Sequence, residues 1–196
     1  MSENDPYAYP GSGVLRNKFG LVHEGELDVA EREAVAQRAR EAIPTGIFDL
    51  AHLQAIHLHL FQDMYEWAGR IRTVEISKGG HQFQFRQFIE TGMLDVHRRL
   101  REARFLSRLD QADFAAAAGA IIGDVNYVHP FRDSNGRTQL IYLKQLAENA
   151  GHPIDLALID PRRWLAASKA GHMAEYGLLG EEIGRTIVAG PRRPNA

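Results

Sequence analysis

Nine consecutive residues of this chain, His129-Pro130-Phe131-Arg132-Asp133-Ser134-Asn135-Gly136-Arg137, carry side chains suited to phosphate chemistry. His129, with a reference pKa of about 6.5, can take a proton from an attacking hydroxyl near neutral pH. Asp133 offers hard carboxylate oxygens. Mg²⁺ typically takes one or two such ligands and completes its shell with phosphate oxygens and water. Asn135-Gly136 stands just ahead of a helical pattern, where unpaired N–H groups and the helix dipole make an anion cradle. Arg137 adds a cation whose planar fork suits phosphate oxygens. Taken singly, each residue also has a structural reading. A histidine near a helix end can simply pack, Asp133 can cap the next helix, Asn-Gly can be a turn, and an arginine at a helix start is often solvated. Together, a base, a metal ligand and a phosphate cradle are the parts of a phosphoryl- or nucleotidyl-transfer site.

A loop of this kind needs rigid flanks. Residues 114–127, begun by Ala112 or Asp113, are small and apolar on nearly every side, which predicts a helix buried at the centre of its domain. Residues 138–150 resume as a helix, stopped by Gly151 and Pro153. Further helices are predicted over 28–43 with Asp28 as cap and over 49–67 with Asp49 as cap. In the second of these, Leu50, Leu53, Ile56, His57, Leu60 and Phe61 recur at helical spacing. Helices are also predicted over 89–107 (with Met93, Val96, Leu100 and Phe105 near one face), 161–171 and 173–188. Residues 71–76 are β-branched and 82–85 alternate, about the turn Lys78-Gly79-Gly80-His81. This predicts a β-hairpin over 71–85, which must lean on the helices because a lone hairpin is marginal. Residues 1–13 read as an irregular lead-in and 190–196 as a polar tail. The fold class is therefore all-α, a helical bundle around a central buried helix pair with one small hairpin.

Composition narrows the class of function. At 196 residues, with 44% hydrophobic and 24% charged residues, the chain is expected to form a single ordinary globular domain over 1–196. The absence of cysteine excludes disulfides, thiolate metal sites and thiol nucleophiles, and fits a reducing compartment. A formal net charge of −2 argues against a protein built to coat nucleic acid. No run approaches the roughly 18 apolar residues of a membrane span, and residues 1–10 lack a signal-like apolar stretch. A soluble, cytoplasmic protein with neither nucleic-acid nor membrane partners is expected. His52, His57 and His59 lack metal-ligand spacing, since 57 and 59 fall on different helix faces. Arg98, Arg99, Arg101 and Arg104 read as a solvated stripe.

The nine-residue run resembles the signature of the Fic family, His-x-Phe-x-(Asp/Glu)-Gly-Asn-(Gly/Lys)-Arg. The likeness extends to Tyr9-Pro10-Gly11 with Leu15-Arg16-Asn17-Lys18, similar to the N-terminal lead of bacterial Fic toxins. It extends also to Trp67-Ala68-Gly69-Arg70-Ile71-Arg72-Thr73-Val74 and Ile76-Ser77-Lys78-Gly79-Gly80, similar to the family's hairpin flap. In all it spans roughly residues 7 to 160. The resemblance implies the Fic fold and a protein adenylyltransferase that moves AMP from ATP to a hydroxyl of another protein. In that assignment His129 is the base, Phe131 fixes the loop, and Asp133 holds Mg²⁺. Arg132, Ser134, Asn135, Gly136 and Arg137 line the nucleotide phosphates. The flap would dock the target by main-chain pairing, through Val74, Ile76, Lys78, Gly79, Gly80, Phe83 and Phe85, with Phe83 or Phe85 clamping the target side chain.

Two positions depart from the family pattern. Ser134 replaces the usual Gly. If φ > 0 is required there, a serine costs about 1 kcal/mol or more, though its hydroxyl can serve as a phosphate donor. Leu140 replaces a second Arg found in many members, which is associated with the terminal phosphate and with autoinhibition. No Ser or Thr has a Glu four residues on, so the in-chain inhibitory motif of the family is missing and an inhibitor would be a separate small antitoxin. These changes keep two alternatives in view. One is transfer of another phosphate-linked group (UMP, phosphocholine or phosphate); the other is a catalytically impaired binding module.

Overall fold

The computed structural model describes residues 5–189. The small, apolar sequence that predicted a buried helix forms α4, Gln111–Val128, capped by Asp110, whose side chain accepts the N–H of Asp113. Phe114, Ala118, Ile122 and Val125 on α4 are almost wholly buried. Gly119 lets α7 (Gly177–Thr186) cross at close range: a Cβ on Gly119 would lie 2.6 Å from the Gly180 nitrogen. The second central helix, α5, is Asn135–Ala150 and closes at Gly151 in the left-handed region. Around this pair stand α1 (Glu24–Arg38), α2 (Leu50–Phe61), α3 (Ile89–Glu102) and α6 (Pro161–His172). The expected all-α architecture around a buried helix pair is what the chain adopts.

Several boundaries differ, each for a physical reason. Helix α1 begins at Glu24 rather than Asp28 and lacks a side-chain cap; Glu24 and Glu26 in its first turn supply the negative charge that favours a helix start. Asp49 does cap α2, accepting the His52 N–H at 2.8 Å, but the helix ends at Phe61 instead of running to residue 67. The chain then turns through 62–69 and reverses at Gly69, where φ is +76° and a Cβ would meet Leu58 Cβ at 2.8 Å. Helix α3 stops at Glu102, and the following turn holds Arg104, Phe105 and Leu106 all at positive φ. The last helix starts at Gly177, not 173.

The hairpin is smaller than predicted. Its strands are β1 (Ser77–Lys78) and β2 (His81–Gln82), antiparallel about Gly79-Gly80. Residues 71–76 form no strand because their polar groups are used elsewhere. The Arg72 N–H binds Pro130 O at 2.9 Å and the Thr73 N–H binds the Tyr7 hydroxyl at 3.0 Å. The lead-in is tied down by a bridge between Ala8 and Leu15. The tail at 190–196 lies outside the described residues. No described helix is long and apolar enough to cross a membrane.

Candidate active site

The nine-residue run connects α4 to α5 and is bracketed by two non-glycine residues in the left-handed region, His129 (φ 47°) and Ser134 (φ 64°). Such residues carry strain that persists only where surroundings over-determine it, a pattern common at functional sites. His129 occupies the C-cap of α4. Its Nδ1 lies 3.0 Å from Asn126 O. A carbonyl can only accept, so Nδ1 carries the proton and Nε2 keeps its lone pair. Burial holds the imidazole pKa down at about 4, with the positive charges of Arg72, Lys78 and His172 acting in the same direction and the Asn126 hydrogen bond opposing. The ring is therefore neutral at pH 7. Phe83 from the flap stacks on its face at 3.7 Å, leaving the ring edge for a reacting group.

Phe131 is fully buried, as expected, with its ring 4.0 Å from that of His57. His57 is itself fully buried. Its Nδ1 accepts the Gly69 N–H at 2.9 Å, so its Nε2–H donates to Asp133 O at 3.2 Å. Burial pushes its pKa to about 4. His57 thus fixes the Asp133 backbone. His52 and His59 lie on other partners, Gln145 and Arg38 O, and among the described residues no group of three or more metal-ligating side chains forms.

The remaining motif residues divide by where they point. Asp133 is exposed, with Oδ1 accepting its neighbour Ser134's N–H at 2.5 Å. An exposed carboxylate with no companion ligands fits Mg²⁺ only when nucleotide phosphates supply other oxygens. Gly136 at the start of α5 is exposed, and a Cβ there would meet nothing within 4 Å. Ser134 provides no side-chain cap, so its hydroxyl leaves the first N–H groups of α5 available, and the surroundings of Gly136 leave room for a phosphate there. Ser134 does lie at positive φ, the condition under which a serine there is costly. Two side chains of the run are engaged by other residues of the protein. Asn135 does not offer its side chain outward: it is buried, its Oδ1 accepting Phe131 N–H at 3.0 Å and its Nδ2 donating to Phe131 O at 2.8 Å. Arg132 turns to the lead-in, where its Nε donates to Asp5 at 2.8 Å.

Arg137 is already engaged. Its Nη2 donates to Ser134 Oγ at 2.7 Å and lies 2.5 Å from the Glu31 carboxylate of α1, and its guanidinium sits 4.7 Å above the Phe61 ring. Glu31 also accepts a short hydrogen bond from Tyr65. Sequence reasoning missed Glu31, Arg72 and the role of His57, because none of them carries a local pattern pointing to the loop. On the flap, Val74 and Ile76 are half-buried, Lys78, Gly79 and Gly80 are exposed, Phe83 is buried against His129, and Phe85 is exposed. A hollow of about 680 Å³ on α2, lined by Gln54, Leu58 and Asp63 among others, contains none of residues 129–137.

A model of the Fic/DOC family matches residues 47–147. The chain belongs to the Fic/DOC family. It is 39% identical over 184 residues to a probable protein adenylyltransferase, y4lH, of Sinorhizobium fredii, covering 93% of this chain and 96% of that one. It is 34% identical over 177 residues to the probable protein adenylyltransferase Fic of Escherichia coli, covering 89% and 88%. With protein adenylyltransferase VbhT of Bartonella schoenbuchensis it shares 35% identity over 94% of its own length but only 39% of that protein's. Among solved structures, the N-terminal Fic domain of a putative cell filamentation protein of Bartonella quintana, with bound ADP, superposes with a TM-score of 0.83 at 29% identity, covering 91% of this chain and 92% of that one. The BepC protein of Bartonella tribocorum, with bound AMPPNP, gives a TM-score of 0.88 at 24% identity over 97% and 100%. The Fic fold expected from the motif, and with it the enzyme class, agree with these relatives.

Proposed function

We propose that the chain is a protein adenylyltransferase that moves AMP from ATP onto a hydroxyl side chain of a protein docked along the flap. One observation carries this reading: a neutral His129, its Nδ1–H committed to Asn126 O, at one end of a short rigid loop whose other end is the uncapped start of α5. The target hydroxyl gives its proton to His129 Nε2 while its oxygen attacks the α-phosphorus of ATP. The bond from that phosphorus to the bridging oxygen breaks, pyrophosphate leaves with the electron pair, and AMP remains on the target. A free imidazole with a pKa near 4 is a weak base; negative phosphate charge brought beside it raises its basicity when the nucleotide is seated. The N–H groups at Gly136 and Arg137, with the Arg137 side chain, hold the phosphates. Asp133 would hold Mg²⁺ jointly with phosphate oxygens, and the ion would neutralise charge on the leaving pyrophosphate. Adenylyltransferase relatives matched over most of their length, and a relative crystallised with ADP, support the nucleotide assignment.

The same reading places a target strand on the flap edge, where main-chain pairing is available to any sequence. A separate inhibitory protein would find Arg137 already paired with Glu31 and no second arginine, because that position is Leu140. Incubating the protein with α-labelled ATP or UTP and Mg²⁺ in a lysate, beside His129→Ala, tests the assignment. Label from ATP on a protein band, reduced about 100-fold or more in the variant, is expected for loss of a general base. Label from UTP instead would give the transferred group as UMP. Equal, background labelling in both proteins would leave a binding module.

A further inference from the structure

Outside the motif, Arg72 is among the largest fully buried side chains of the protein. A buried guanidinium is unfavourable by several kcal/mol unless its donors are met, and here they are met in a particular way. Its Nε donates to His129 O at 2.8 Å and its Nη2 reaches Val128 O at 3.5 Å, while its own backbone N–H binds Pro130 O at 2.9 Å. These are the last carbonyls of α4 and the first of the loop, groups a helix end leaves without partners. The other donors go to the flap: Nη1 to Val74 O at 2.7 Å and Nη2 to Gln84 O through a short bond. Glu75 lies 3.4 Å from Nη1, and its carboxylate also accepts the Arg86 N–H, at 3.0 Å to Oε2, closing the base of the flap from the outgoing side.

One planar group therefore joins both arms of the flap to the Val128 and His129 carbonyls, and the backbone N–H of the same residue adds Pro130 O. We infer that Arg72 is a positioning residue that fixes the target-docking flap relative to the His129 imidazole, with Glu75 locking it from outside. The inference rests on the reading in which His129 is the base and the flap receives the target. Lysine cannot substitute, because a single ammonium nitrogen cannot reach carbonyls lying in three directions as a five-donor fork does. The stacking of Phe83 on His129 is the visible result of this registration.

The test compares Arg72→Lys, Arg72→Met and Glu75→Gln by amide hydrogen exchange, by NMR titration of the His129 imidazole, and by binding of Mg²⁺–ATP. In Arg72→Lys, protection of the Phe83 and Gln84 amides, which bond to Ile76 O and Tyr127 O, should fall about tenfold, the scale of one lost net hydrogen bond. Amides of α4 and α7 should stay within about twofold, and ATP affinity likewise, since phosphate is held at the far end of the loop. The charged groups facing His129 are Arg72, Lys78 and His172. Its titration midpoint should rise as the flap loosens and water reaches the ring, and rise further in Arg72→Met, which also removes a cation. If Arg72→Met fails to fold, Arg72→Lys and Glu75→Gln decide the matter, with Glu75→Gln giving a smaller change confined to the flap. Wild-type flap exchange with an unmoved His129 titration in Arg72→Lys would overturn the inference, as would a uniform loss of protection through the core. Persistence of labelling in His129→Ala would instead remove the base assignment and leave the flap measurements standing.

Discussion

Ser134 shows two opposing effects within one residue. Its backbone sits at φ 64°, where a Cβ costs about 1 kcal/mol, while its hydroxyl accepts Arg137 at 2.7 Å, a bond worth about 1 kcal/mol. Ser134→Gly removes both, so the melting temperature should change by no more than about 3 °C. Arg137 loses one acceptor, and ATP should bind about fivefold more tightly, equivalent to roughly 1 kcal/mol. Calorimetry and a thermal melt check the pair; a drop of many degrees would show that the backbone there is not strained. The motif was legible at this scale because its pattern is local, and the family's glycine raised the question of a positive φ at position 134, which the backbone answers. The inward side chain of Asn135 was not legible. An Asn before a helix can cap, bind a ligand or stitch its own loop, and only the loop's curvature, which brings both main-chain groups of Phe131 within reach, selects the last.

Between elements, an ion pair links α1 to the start of α5. Glu31 and Arg137 meet at 2.5 Å, with the Glu31 side chain only 12% exposed. The pair secures α1 to the motif but also occupies the cation that the phosphates need. Glu31→Gln keeps an acceptor for Tyr65 and releases Arg137. Unfolding free energy should fall by about 1 kcal/mol or less, as expected for a pair whose arginine is 41% exposed. ATP affinity should rise about fivefold, measured by titration; weaker ATP binding would mean that Glu31 aligns Arg137 rather than competing for it. Element positions were largely legible from hydrophobic spacing, and the cap expected at Asp49 acts as such. The start of α1 was misread because Asp28 resembles a cap yet lies inside the helix, where Arg32 donates to its carbonyl. The short hairpin was overextended because β-branched residues 71–76 favour strand locally, while Arg72 and Thr73 commit their backbone N–H groups to distant partners.

For the molecule as a whole, two buried neutral histidines tie stability to pH. His57 and His129 both titrate near 4 in the folded protein, below their ordinary value of about 6.5. Between those values the unfolded chain binds more protons than the folded one, so stability rises with pH through this window. It is complete above about pH 6.5 and declines as pH falls toward 4, by at most a few kcal/mol for each residue. Denaturant titrations at pH 7, 5.5 and 4.5 should give successively smaller unfolding free energies; a constant value across the three would contradict the burial-driven shifts. Little of this was visible beforehand. A histidine in an apolar helix face shows no sign of which carbonyl it will meet, and Arg72, Glu31 and His57 reach the loop only through the packing of separate helices.

The lead-in belongs to the same assembly. Asp5 grips Arg132 beside the motif, and Tyr7 accepts the Thr73 N–H at the entrance to the flap and stands edge-on to Trp67. Residues far from the motif loop in the chain thus hold it from one side and the flap from the other. On the proposed function, a fusion, a cleavage or a binding event that pulls on residues 5–7 would be felt both where the phosphates would sit and where the target would dock, making these residues a handle on the proposed chemistry.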